Sequence, residues 1–171
     1  METYKASLDT TSKILTGFVF LIAIFGVVIS FMLIPWYGGL FVWVIPTILL
    51  LSTYAYRVVC YQITDEELII KRPFSKFDYR ISLSEIVSIS VPDKTDFKFT
   101  IRTAGNGGMF GYSGYFMNNK LGSFRVYAPN RKNRILMVFK EKKDKIVISP
   151  DDSGMASDLQ KRLKKGVLGD L

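Results

Sequence analysis

Residues 14–34, ILTGFVFLIAIFGVVISFMLI, and residues 40–56, LFVWVIPTILLLSTYAY, make up an uncharged run that breaks once, at Pro35-Trp36-Tyr37-Gly38-Gly39. As a helix the first segment reaches about 31 Å, which spans the hydrocarbon core of a bilayer. The second reaches about 26 Å, short alone but sufficient with its flanking glycine and interfacial tyrosines. Pro35 and the glycine pair favour a turn, while Trp36, Tyr37 and Trp43 are residue types that settle at a membrane interface. The expectation is a two-helix transmembrane hairpin, with helices over residues 14–34 and 40–56 and a kink at Pro46.

Residues 1–13 are polar, with Glu2 and Asp9 balancing Lys5 and Lys13. They lack the basic opening of a secretory signal, and the apolar run is too long for a signal core, so no cleavage is expected. Thr10, Thr11 and Ser12 offer helix caps. Lys13 and Arg57 flank the outer ends of the hairpin and the turn between the helices is uncharged, so the positive-inside bias places both termini in the cytoplasm. On this reading residues 1–13 are a cytoplasmic tail, 14–57 the hairpin and 58–171 a single soluble domain of a size that supports one small core.

The charge is concentrated behind the hairpin, where 20 Lys and Arg stand against 13 Asp and Glu. Such an excess serves solubility or an anionic partner, and the membrane surface is the nearest one; no nucleic-acid partner is expected. The chain has no His and a single Cys, Cys60, so an internal disulfide is excluded and the commonest metal ligand and general base are missing. Cys60 reads as a small packing residue.

From Tyr61 the pattern turns to short segments of period two, the signature of half-buried strands. Tyr61 and Ile63, then Leu68 and Ile70, fall on one face each, and Phe77, Tyr79 and Ile81 alternate with Lys76, Asp78 and Arg80. Further strands are expected at 86–91, 97–102, 123–127, 135–140 and 145–148, with turns at Pro92-Asp93, Pro129-Asn130 and Lys143-Asp144. Seven or eight strands in this length indicate an all-β sandwich or barrel. Ser149-Pro150-Asp151-Asp152 then reads as an N-cap, a first-turn proline and first-turn acids. Met155, Ala156, Leu159 and Leu163 form the apolar stripe of a final helix that closes one end of the barrel. Lys161, Arg162, Lys164 and Lys165 gather at its C-terminal end, and Gly166 is expected to stop it.

This outline resembles the pleckstrin-homology (PH) superfold, a partly open barrel of about seven strands capped by a C-terminal helix. The segment GNGGMFGYSGYFMNNKLGSFRVYAPN, residues 105–130, is similar to the glycine-aromatic signature of a bacterial PH-domain family, and KIVISPDD, residues 145–152, is similar to its approach to the last helix. The resemblance covers roughly residues 58–167 and implies architecture rather than chemistry. Eukaryotic PH domains that bind inositol phosphates carry a tighter basic cluster than Lys71, Arg72, Lys76 and Arg80 provide. Those four are therefore candidates for contact with an anionic surface, not for phosphoinositide recognition.

The glycine-aromatic stretch is no nucleotide fingerprint, because it lacks both Gly-Lys-Ser/Thr and a following helix. Gly107, Gly108, Phe110, Gly111, Tyr112, Gly114, Tyr115 and Phe116 are instead a candidate interaction loop. Three placements stand in order of preference: folded over the barrel core, in contact with another copy or a partner, or pressed into the headgroup region. No catalytic constellation, metal site or cofactor is expected. Membrane anchoring with a non-catalytic interaction module remains, binding a protein partner or itself, with a peptide groove near Leu159; the alternative is an anionic-lipid-sensing domain.

Overall fold

The computed structural model describes residues 1–33, 36–140 and 145–169, with the side chains of residues 31, 33, 36–42 and 164–169 left aside. Ten strands and three helices follow one another as β1 (Glu2–Lys5), α1 (Thr10–Leu33), α2 (Trp36–Ala55), β2 (Cys60–Ile63), β3 (Glu67–Lys71), β4 (Tyr79–Ser82), β5 (Ile86–Ser90), β6 (Ile101–Gly108), β7 (Gly111–Asn118), β8 (Gly122–Ala128), β9 (Ile135–Phe139), β10 (Lys145–Ile148) and α3 (Gly154–Gly169). The strands form a four-stranded sheet in the order β1-β2-β3-β4 and a six-stranded sheet in the order β5-β9-β10-β8-β7-β6.

Residues 1–13, read as a tail, contribute a strand instead. β1 pairs antiparallel with β2, from Glu2 opposite Ile63 to Lys5 opposite Cys60. Only Tyr4 in that segment carries an apolar signal; it packs against the core and its hydroxyl donates to Asp158 Oδ2 at 2.7 Å. Cys60 is half-buried in β2, and burial pushes its thiol pKa up.

The period-two segments fold as their spacing demands. Tyr61, Ile63, Leu68, Ile70 and Ile81 face inward from the first sheet and meet Ile86, Ile89, Ile135, Met137, Phe139, Ile146 and Ile148 from the second. β9 and β10 are apolar on both faces because both are covered. Leu136 and Val147 point the other way, into a second cluster with Tyr112, Phe124, Val126 and Ala128. β10 runs parallel to β8 and antiparallel to β9, so the set is not purely antiparallel. Fully buried Tyr61 joins the sheets: its hydroxyl donates to the Tyr127 carbonyl at 2.6 Å and accepts the Ser149 N–H at 3.1 Å.

α3 closes one end of the core with Met155, Ala156 and Leu159, and Leu163 packs beside them. Its start lies further on than Ser149 and Pro150. The Asp152 carboxylate accepts the Gly154 N–H at 2.8 Å, the bond an N-cap makes. Asp151 is drawn away to Ser7, whose N–H and hydroxyl it accepts, and to the Asn130 amide. Gly166 does not end the helix, which continues to Gly169. Helical backbone tolerates an internal glycine at a cost of about 1 kcal/mol. The side chains of Lys164 and Lys165 lie outside the described residues, as does the expected turn at Lys143-Asp144.

Among the described residues one helix, Thr10–Ser30, is long and apolar enough to cross a membrane, and Trp43–Ala55 is a shorter apolar helix. Ile14, Phe18, Leu21, Ile22, Ile24 and Phe25 of α1 are exposed rather than packed on the protein. α2 begins at Trp36, so the Gly38-Gly39 pair lies in helical backbone instead of a turn. Residues 34 and 35, and the side chains of Trp36 and Tyr37, lie outside the described residues. Near the C-terminal end of α1 the Trp43 indole N–H donates to the Ser30 hydroxyl.

Candidate functional site

The glycine-aromatic stretch is a hairpin of two eight-residue strands, β6 and β7, not a loop. Its centre is the pair Gly105 and Gly114, opposite one another in the ladder. Both have positive φ, and a Cβ on Gly114 would come within 2.7 Å of Gly105 Cα and closer still to the Ala104 carbonyl. The strands approach there as only glycines allow.

Apart from Gly114 at this centre, the candidate loop residues separate into three groups. At the hairpin tip Phe110 has φ 55°, a left-handed conformation that costs a non-glycine residue about 1–2 kcal/mol. Docking offsets it. The Phe110 N–H donates to Thr16 Oγ1 at 3.0 Å, and its ring meets Phe20 of α1 at 6.1 Å and Tyr54 of α2 at 5.6 Å, both edge-on. A Cβ on Gly108 would clash with Leu15, so the tip backbone lies directly on α1. Gly111 lies against Pro129 and Leu8 in the same way.

The second group faces outward from the sheet. Tyr112 and Phe116 sit opposite Ala128 and Phe124, with Phe116 stacked on Phe124 at 6.3 Å and Gly107 under the Arg102 side chain. Together with Phe97, Phe99, Arg131 and Arg134 they line a cleft of about 580 Å³. The Arg131 guanidinium lies 4.7 Å over the Tyr112 ring and that of Arg134 lies 4.1 Å over Phe97. Burial, and after it the charge of Arg131, pull the Arg134 pKa down. Phe99, with φ 53° and 90% exposed, stands at the rim.

Tyr115 belongs to the third group, on the opposite face, where Arg125 lies 4.7 Å over its ring. Ile101 is the cross-strand partner of Met117 and Ala104 that of Tyr115. Ile101, Met117 and Tyr115 are 64, 45 and 44% exposed, and β6 is the outermost strand of its sheet.

The four basic candidates do not make one patch. Lys71 is bonded to Asp78 at 2.7 Å, and Arg80 approaches Glu67 at 3.5 Å. The Arg72 guanidinium lies over the rings of Tyr56 and Tyr127 at 4.9 and 5.6 Å. Lys76 stands on the turn Ser75–Phe77, beside exposed Phe74, and Phe77 of that turn meets Tyr56 at 5.1 Å. Arg72 and this turn therefore lie at the end of α2. The groove expected near Leu159 is filled, because Leu159 is fully buried and the Gln160 amide donates to the Ile89 carbonyl at 3.1 Å.

Sequence reasoning missed the cleft. Its arginines come from β6 and from the segment after Pro129, and its floor mixes β7, β8, β10 and the turn Lys94–Phe97. The one local signal is the run Arg131-Lys132-Asn133-Arg134 directly after a turn. Among the described residues, no three His, Cys, Asp or Glu side chains gather as a metal site would require.

No curated protein and no solved structure matches the chain. A family model described as bacterial PH domain matches residues 59–163, from the start of β2 to the last buried turn of α3, and takes in β2 to β10 and the cleft but not β1. The chain belongs to the bacterial PH-domain family.

Proposed function

We propose that the chain is a membrane-anchored, non-catalytic interaction module whose PH-like domain is held at the cytoplasmic face of the bacterial inner membrane by α1 and α2, and that it binds a protein partner or a second copy of itself. The observation that carries the reading is the β6–β7 hairpin. Its tip is fastened to both apolar helices through Phe110, while its exposed face offers Ile101, Tyr115 and Met117 beside an open strand edge. Exposed apolar side chains along an unpaired edge are the chemistry of strand addition or of an interface. The outward apolar surface of α1 favours lipid around it. Lys13 and Arg57 favour cytoplasmic termini.

Differently tagged copies of the full chain, together with its native membranes, test the interaction. Ile101→Ser/Met117→Ser should abolish co-purification of copies or of a crosslinked partner while leaving the thermal midpoint unchanged. Retained co-purification would remove this face from the reading. Anchoring is read separately. The chain should stay in the pellet on alkaline extraction, and in a Cys60→Ser background a cysteine at Ser153 should resist labelling from outside.

A second reading, contact with anionic lipid at the end of α2, is favoured by Phe74 and Lys76. The turn that carries them lies against Tyr56, and an apolar and a cationic side chain side by side near the end of an apolar helix suit a headgroup surface.

A further inference from the structure

The cleft on the outer face of the six-stranded sheet is a built site with no assigned ligand. Its volume, about 580 Å³, lies in the range of small-ligand pockets. Arg102, Arg131 and Arg134 line it, and no carboxylate does. Of the nearby acids, Asp9 accepts the Ser12 N–H at 2.7 Å and its charge also reaches Arg134, while Asp96 pairs with Lys120. Arginines stacked on aromatic faces keep their in-plane N–H donors at the ring edges, free to take an anion.

A second, independent observation points to a ligand. The Tyr112 hydroxyl is buried without a hydrogen-bond partner, on a ring that Arg131 covers, a state that proteins rarely leave uncompensated. An oxygen-rich anion between the two guanidiniums would meet that hydroxyl and neutralise the crowding of Arg131 against Arg134. The remainder of the floor is apolar, with Phe116, Phe124, Val126 and Val147. The ligand is therefore anionic at one end and apolar over the rest.

Position decides its source. The Asp9 N–H donates to the Pro129 carbonyl at 3.4 Å, Gly111 rests on Leu8, and the Phe110 N–H meets Thr16. The Arg131 and Tyr112 end of the cleft is thus held beside the first turns of α1. If α1 enters the bilayer, as the proposed function holds, this is the level of the lipid phosphates.

We propose that this cleft binds a single anionic phospholipid, its phosphate held by Arg131, Arg134 and the Tyr112 hydroxyl with Arg102 at the rim, and its apolar part laid over Phe116 and Phe124. The proposal rests on the membrane-anchored reading for the choice of a lipid over a soluble anion. It goes beyond that reading by placing a specific lipid site on the domain itself, away from Lys76.

The test is calorimetric titration of the full chain, in a neutral detergent, with dioctanoyl phosphatidylglycerol. One-to-one saturation is expected, with no saturation by dioctanoyl phosphatidylcholine. Arg131→Ala/Arg134→Ala should weaken binding at least tenfold, whereas Lys132→Ala/Lys140→Ala, which removes the same charge outside the cleft, should change it less than twofold. Tyr112→Phe should bind the lipid severalfold more weakly while the lipid-free thermal midpoint stays level or rises, because the hydroxyl it removes has no partner in the protein. This variant keeps the test decisive if the double arginine variant fails to fold.

Equal losses in the two double variants would reduce the effect to diffuse surface charge and overturn the site. Saturation by inorganic phosphate at the same concentrations would assign it to a free anion, and displacement by a polyglutamate peptide at lower concentration than the lipid would assign it to an acidic protein segment. Either result overturns the proposal. Because the titration is done in detergent, its failure leaves anchoring untouched, and a failure of anchoring appears in the alkaline extraction alone.

Discussion

Asp78 connects two strands through one carboxylate. Its side chain is 4% exposed, accepts from Lys71 Nζ at 2.7 Å and from the Arg72 N–H at 2.9 Å, and so fixes the chain as it leaves β3 for the turn that meets α2. Burial alone would raise its pKa, but the Lys71 and Arg72 hydrogen bonds and the charges of Lys71 and Arg80 outweigh it and hold the carboxyl below the usual aspartate value. A depressed folded-state pKa contributes stability that is complete above the unfolded value of about 3.9 and fades as pH falls through the folded one. The thermal midpoint of the full chain in detergent should therefore fall on acidification below about pH 4. Asp78→Asn should lower the midpoint at pH 7, by the equivalent of about 1–3 kcal/mol, and flatten the acid limb. An unchanged acid limb in the variant would assign the loss to other carboxylates.

At the scale of elements, the β6–β7 hairpin depends on a backbone that only glycine at position 114 permits. Gly114→Ala must move a Cβ away from Ala104 and Gly105 at φ 133°, with a cost of about 2 kcal/mol or more. Amide exchange at Phe110 should then accelerate, because the tip loses its support against α1, while amides of β2 and β3 keep their rates. Equal acceleration everywhere would mean that the hairpin and the core unfold as one unit. This hairpin also marks the limit of what periodicity can read. Strands β2 to β5 and β8 to β10 are legible because Ile, Leu, Val, Phe and Tyr alternate or run together over four to seven residues. Gly105, Gly107, Gly108, Gly111 and Gly114 instead dilute β propensity to the point where the segment reads as a loop. The cleft was hidden for a different reason: its arginines and rings are brought together only by the order β9-β10-β8-β7-β6, in which β10 inserts parallel to β8. No spacing in the chain carries that crossover. The start of α3 lies beyond the expected cap because Ser149 is buried, its hydroxyl accepting the Asn130 N–H and its own N–H donating to the Tyr61 hydroxyl, both from distant segments.

For the molecule as a whole, the four-stranded sheet is assembled from both sides of the apolar helices, so the domain is not contiguous in sequence. β1 pairs with β2 across more than fifty intervening residues. It is held from above by Tyr4 on Asp158 and by Arg162, which reaches Glu2 at 3.2 Å and Asp65 at 2.8 Å. Residues just beyond β1 continue the attachment: Asp151 accepts from Ser7, the Asp151 N–H donates to the Lys5 carbonyl, and the Asp9 N–H reaches Pro129. Four residues with one aromatic side chain bury too little to hold a strand by themselves, and these polar ties from α3 supply the rest. A fragment of residues 58–171, cut after α2, would contain every residue that the family model matches and yet leave the edge of β2 bare. Such a fragment should unfold about 2–4 kcal/mol more easily than the same domain with β1 in place, at about 1 kcal/mol per lost hydrogen bond, and should self-associate through its open edge. A synthetic peptide of residues 1–9 added in trans should raise its thermal midpoint in a saturable way, since a ligand for the folded state alone stabilises in proportion to RT ln(1 + [L]/Kd). A scrambled peptide with the same composition should not. If the fragment were as stable without the peptide as with it, the first strand would be an ornament on the sheet and not a part of the fold.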